Sequence, residues 1–192
     1  DCACVRRYPP GVRAASRSTR NGHIGVIGTA GTVRSHAYDR AIHAQAPQVH
    51  VTTMACPKFV PVVESNQYRS PVAKKIVAET LGQLPDKDID TLVLGCTHYP
   101  LLRPLIQNFM GPDVTLIDSG AETVSEISAL LDYFDIRNLD HTVSAAPKLF
   151  TTGSPDMFKD IAEDWLGMTA LPVAHVAVED LPAVPAAKEG IE

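Results

Sequence analysis

The chain has 192 residues, 45% of them hydrophobic, with 17 Lys and Arg against 22 Asp and Glu and a net charge of −5. That length can bury the core of one domain, or of one and a part. The slightly acidic balance argues against a nucleic-acid scaffold, and no apolar run approaches the roughly 20 residues that a membrane span needs.

The opening residues, Asp1-Cys2-Ala3-Cys4-Val5-Arg6-Arg7, carry no apolar stretch after the arginines and do not read as a secretory signal. Cys2 and Cys4 are too close together for a zinc knuckle, and four cysteines in a chain of this length do not make a disulfide framework. A reducing cytoplasm is the expected location. Residues 1–9 are expected to be an unmatched, disordered terminus.

Ile24 to Gly28 reads as a buried strand, followed by the turn Thr29-Ala30-Gly31-Thr32 and a helix from about Val33 to Gln45, ended by Pro47. The turn has the strand–glycine–helix form that cradles an anion, but it lacks the Lys of a Walker loop. Its glycines, Gly25, Gly28 and Gly31, do not have the dinucleotide spacing either. Two readings of it stay open: Thr29 or Thr32 lends a hydroxyl to a small substrate, or a threonine caps the helix. Val49 to Met54 alternates and is rich in β-branched residues, which predicts the next strand. Cys56-Pro57 turns the chain, with Cys56 expected to pack as a small apolar residue. Glu64 follows the apolar run Val60 to Val63. Pro71 to Leu84 is a one-sided helix, with Val72, Ala73, Ile76, Val77 and Leu81 set around Lys74, Lys75 and Glu79.

Leu92-Val93-Leu94, between Asp90 and Gly95, suits a strand buried on both faces. Gly95 permits a sharp turn, and Pro100 suits the first position of a helix that runs to about Met110 and stops at Gly111-Pro112. Cys96 and Thr97 then stand where a parallel strand meets a helix start, the usual place for a ligand in an open α/β sheet. A helix start favours negative charge, which a reactive thiol requires. His98 is placed to hydrogen-bond or deliver a proton, and Thr97 with the free amides can hold a carboxylate.

Val114 to Asp118 is a further strand and Ala121 to Phe134 a further amphipathic helix. Lys148 to Thr152 is a short strand, Ser154-Pro155-Asp156 opens a helix to Leu166, and Pro172 to Val178 is an edge strand. The tail from Leu181 is expected to be disordered. Strand and helix alternate four times between Ile24 and Phe134, which predicts βαβ units with right-handed crossovers. The fold class is therefore α/β, a parallel sheet flanked by helices.

Gly95-Cys96-Thr97-His98-Tyr99-Pro100-Leu101-Leu102 resembles the second catalytic-cysteine motif of the glutamate racemases, in the cofactor-independent aspartate/glutamate racemase superfamily. The resemblance extends to Ile24–Val33 and Ala55–Glu64 and covers roughly residues 10 to 166. Related aspartate racemases tend to carry an acidic residue where His98 stands, which favours glutamate as substrate. By resemblance, Cys96 is base and acid for one face of the α-carbon, with His98 assisting. Thr97, His98, Thr29 and Thr32 would bind substrate. Glu64 would orient or tune His98; otherwise it is a solvated helix carboxylate. No cofactor is implied, and the product would be D-glutamate for peptidoglycan.

Inversion without a cofactor needs a base on one face of the carbon, an acid on the other, and fixed donors on the carboxylate. The family supplies two cysteines from two pseudo-symmetric domains. No Cys-Asn of the first cysteine's motif occurs in this sequence. Asp118-Ser119-Gly120 has the letters of the family's Asp-Ser-Gly loop, but it follows the fourth strand, so that role is not carried onto it. The expectation is an N-terminally truncated arrangement. It has one complete racemase-type α/β domain at residues 10–117 and, at 118–180, the C-terminal remnant of a second domain, with 181–192 as the tail. Such a chain would exchange the α-proton on one face at most. An inert fragment that acts by binding a partner is the alternative. A metal at Cys96 and His98 is disfavoured, because no third ligand stands at a sensible spacing. The expected partner is glutamate, with no nucleic acid and no membrane; a homodimer is allowed.

Overall fold

A computed structural model describes residues 9–139 and 147–180; the readings placed on Cys2, Cys4 and the tail from Leu181 lie outside the described residues. The chain divides into two compact units, the first ending at Asn138 and the second beginning at Leu139. In the first, the order is α1 (Pro10–Ser18), β1 (His23–Gly28), α2 (Ala30–Ser35), α3 (Ala37–Gln45), β2 (His50–Ala55), α4 (Phe59–Glu64), α5 (Pro71–Leu81) and β3 (Thr91–Gly95). A 3-10 turn (Tyr99–Leu102), α6 (Arg103–Met110), β4 (Thr115–Asp118) and α7 (Ser119–Tyr133) complete it.

The four strands are parallel, in the order β2-β1-β3-β4. The fold is α/β, a parallel sheet flanked by helices, as the alternation predicts. The two central strands are covered on both faces and therefore lack a polar alternation. Ile24, Val26, Ile27, Leu92, Val93 and Leu94 are all at most 2% exposed. On one side Val12 and Ala15 of α1 and Ile42 of α3 pack with Ile24, Val26, Val93 and Ile117. Each Val and Ile side chain among them contributes about 1.5–3 kcal/mol relative to exposure. Buried Asp90 anchors the start of β3, accepting from the amides of Arg20 at 2.6 Å and Asn21 at 2.9 Å. Helix α7 packs against α1, where Arg13 pairs with Glu126.

Several elements depart from the sequence pattern. The helix expected from Val33 begins at Ala30, because Thr29 caps it by accepting from the Thr32 amide at 3.2 Å. It also breaks at His36, whose φ of 51° closes α2 and opens α3. The helix expected to reach Leu84 ends at Leu81, and Leu84 buries itself after a further turn. Its apolar stripe is Ala73, Val77 and Leu81, while Val72 is 54% exposed. The segment from Pro100 is a 3-10 turn, and the α-helix starts only at Arg103. Pro104 has no N–H to bond the Pro100 carbonyl, so the first turn tightens. The dipole support expected for Cys96 is therefore that of a four-residue turn, not of a helix end.

The second unit holds β5 (Leu149–Thr151), α8 (Pro155–Leu166), β6 (Val173–His175) and a 3-10 turn at Val178–Asp180. β5 and β6 pair in parallel, Leu149 opposite Val173. Ser154 caps α8, accepting from the Met157 amide at 3.4 Å, and Pro155 takes the first helical position. No described helix is long and apolar enough to cross a membrane.

Candidate active site

Because the strands of the first unit are parallel, their ends at Gly28, Ala55, Gly95 and Asp118 lie along one edge of the sheet. The chain leaves β1 for β2 on one side and leaves β3 for β4 on the other. The crevice between β1 and β3 is the topological switch point, where open α/β sheets hold ligands. Gly28 and Gly95 are register partners at that point, and each is followed directly by a predicted site residue, Thr29 and Cys96. Close packing demands both glycines. A Cβ on Gly95 would lie 2.9 Å from the Ile27 carbonyl oxygen, and one on Gly28 would lie 3.0 Å from Thr32 Cβ.

Past β3 the chain turns without regular helix, and the three motif side chains face a common point. Cys96 Sγ lies 3.8 Å from His98 Nδ1, and Thr97 Oγ1 lies 3.4 Å from the same nitrogen. The opposite ring nitrogen, Nε2, lies 3.2 Å from Oε1 of Glu64, the last residue of α4. An ionised carboxylate only accepts, so this pattern assigns the proton to Nε2. In the neutral ring Nδ1 is then a lone pair facing the thiol and the hydroxyl. The layout is thiol, base and orienting carboxylate, the arrangement by which a nucleophile or proton carrier is activated. His98 is 24% exposed and Glu64 60%, so the outer pair works against solvent and holds the ring only modestly.

The structure joins Cys96, Thr97, His98 and Glu64 in one linked group and sets Thr29 and Thr32 on the neighbouring strand end. The two threonine hydroxyls are 3.0 Å apart, and Thr29 also caps α2. Thr29 thus serves as the cap, which uses a lone pair of its oxygen and leaves one of the two hydroxyl protons able to meet a further acceptor.

Beneath the site, fully buried Tyr99 donates its hydroxyl to the Cys56 carbonyl at 3.0 Å and meets Phe59 edge-on, with ring centroids 5.2 Å apart. This ties the loop after β3 to the loop after β2. Cys56 is 0% exposed, as expected of a small apolar residue, and burial pushes its thiol up to about 12. Burial likewise raises the Tyr99 phenol.

One part of the site was not read from the sequence. A cavity of about 510 Å³ beside Cys96 is lined by Tyr38, Thr97, Asp118, Ser119 and Gly120. Tyr38 Oη and Ser119 Oγ are 3.1 Å apart, and Asp118 caps α7 through the amides of Gly120 at 2.9 Å and Ala121 at 3.2 Å. Asp118-Ser119-Gly120 carried a usable signal: it ends a parallel strand, on the edge that bears Cys96. Tyr38, in the first turn of α3, carried none.

Residues 2–127 match the family model described as Asp/Glu/Hydantoin racemase. The glutamate racemase of Enterococcus faecalis is 60% identical over 167 residues, which are 87% of this chain and 61% of that protein. Among solved structures, a glutamate racemase isoform from Bacillus anthracis aligns with a TM-score of 0.79 at 41% identity, covering 90% of this chain and 64% of that one. The glutamate racemase of Francisella tularensis, solved in complex with D-glutamate, aligns with a TM-score of 0.74 at 27% identity, covering 90% of this chain and 63% of its own. The chain spans 61% of the length of the first curated relatives it matches.

Proposed function

The chain belongs to the Asp/Glu/hydantoin racemase family, and from that membership we propose that it carries the Cys96 side of a cofactor-independent glutamate racemase. The observation that carries this reading is the Cys96–His98–Glu64 series at the switch point of the sheet. Cys96 passes its thiol proton to His98 Nδ1, whose opposite nitrogen is held by Glu64. The thiolate then removes the proton from Cα of one glutamate enantiomer, leaving a carbanion whose charge spreads onto the α-carboxylate. Thr97, with the free amides of its turn, holds that carboxylate, and Thr29 and Thr32 hold the rest of the substrate from the β1 side. Return of a proton to the opposite face completes inversion and needs a second acid. A positioned acid or base of this kind contributes about 10²–10⁴ in rate.

The substrate is glutamate, the setting is the cytoplasm, and the product feeds peptidoglycan. A homodimer is one way to bring a second acid to the site. The test is exchange of the Cα proton of L- and D-glutamate for solvent deuterium, followed by NMR and chiral chromatography, with Cys96→Ala as control. The expected result is exchange on one enantiomer that the substitution abolishes. Exchange undiminished in Cys96→Ala, or none in a folded sample of the unsubstituted chain, overturns the reading.

A further inference from the structure

We propose that the chain binds a divalent transition-metal ion of the zinc(II) class through His23, His50 and Asp86, at the end of the sheet opposite Cys96. His23 and His50 are register partners at the first positions of the adjacent parallel strands β1 and β2, which sets their imidazoles side by side with ring centroids 5.4 Å apart. The loop between α5 and β3 brings Asp86 to both. Its Oδ2 lies 2.9 Å from His23 Nδ1 and 3.9 Å from His50 Nε2. Its other oxygen accepts from the Asp88 amide at 2.8 Å, so the carboxylate is held by its own loop. Asn21, just before β1, donates to the Asp88 carbonyl at 2.6 Å and fixes that loop against the strand.

Zinc bonds of about 2.0–2.2 Å in tetrahedral geometry separate neighbouring donor atoms by about 3.3 Å. The two separations from Asp86 Oδ2 straddle that value, and rotation of the solvent-exposed His50 ring, whose centroid stands 5.4 Å from that of His23, is what brings the three donors onto one ion. Two imidazoles and a carboxylate are the donor set that zinc favours over magnesium or calcium. The Asp88 carboxylate is at hand for the open position, since ligand atoms of His23, Asp86 and Asp88 lie within 4.8 Å of one another. A cavity of about 360 Å³, lined by His23, His50, Thr52, Pro85 and Asp86, has room for the ion and bound water. An ordinary His–Asp ion pair needs only one ring on the carboxylate. Here a second ring converges on the same oxygen. None of these residues enters the proton transfer assigned to Cys96, and the ion would clip two strands and a loop together.

The test titrates the chelator-treated 192-residue chain with ZnCl2 by calorimetry and with CoCl2 by visible spectroscopy, beside Asp86→Asn and the double variant His23→Gln/His50→Gln. The expected result is one zinc per chain, bound at least tenfold more weakly by Asp86→Asn and not detectably by the double variant. The cobalt complex should show nitrogen and oxygen ligation without a thiolate charge-transfer band. Zinc should also raise Tm in the unsubstituted chain but not in the double variant, because the ion stabilises only the form that binds it. No stoichiometric binding by the unsubstituted chain, undiminished binding by the folded double variant, or a thiolate band that marks cysteine ligation overturns the proposal.

Discussion

Tyr99 offers a sharp test of what holds the Cys96 turn in place. Tyr99→Phe removes only the hydroxyl that donates to the Cys56 carbonyl at 3.0 Å. That carbonyl is not orphaned, since it also accepts from the Phe59 amide at 3.1 Å. The loss is therefore one net buried hydrogen bond, about 1 kcal/mol, without the penalty of an unpaired acceptor. Tyr99→Ala removes the whole ring from a site with 0% exposure and breaks the edge-on contact with Phe59. Cavity formation puts that change at about 3–5 kcal/mol. Urea unfolding of the three proteins should give midpoints that fall in this order with equal slopes. The expected gap between the two variants is about 2–4 kcal/mol. If Tyr99→Phe costs as much as Tyr99→Ala, the hydroxyl holds the turn, and packing of the ring does not. A stabilised Tyr99→Phe would equally refute the assignment of a net favourable hydrogen bond.

Three further outcomes concern Glu64 and the buried Cys56. Glu64→Gln replaces a charged acceptor of His98 with a neutral one; with Glu64 60% exposed, the loss is about 1 kcal/mol, or about fivefold in the rate of Cα deuterium exchange. An unchanged rate assigns Glu64 to solvent. Cys56, pushed up to about 12 by burial, stays a thiol well above neutral pH and should resist iodoacetamide in the folded chain, as site-resolved mass spectrometry would show. The sign for stability follows from the raised value: the Cys56 contribution is complete below the ordinary value of 9.0 and is lost as pH rises toward about 12. Stability that holds constant through that window contradicts the burial effect.

Much of the molecule was legible in the order of its residues, wherever the deciding energy is local. Leu92-Val93-Leu94 announces a doubly covered strand because burial on both faces removes any polar alternation. Ser154-Pro155 announces α8 because a cap and a first-turn proline act within a few residues. Gly95-Cys96-Thr97-His98 carried both the resemblance and the turn. Other features depended on through-space closure. The order β2-β1-β3-β4 is what makes β1 and β3 neighbours and so sets Thr29 and Thr32 on the strand end next to the one that carries Cys96. Glu64 and His98 meet across 34 residues, and Tyr38 meets Ser119 across 81. The break at His36 left no periodic trace, since the apolar pattern of α2 and α3 is indifferent to one residue at positive φ. The pairing of His23 with His50 waits on the register of two strands, a property of the sheet and of neither segment alone. Sequence determined which elements form and where the Cys-Thr-His motif falls among them; only the packed sheet decided which side chains, distant in the chain, share its two ends.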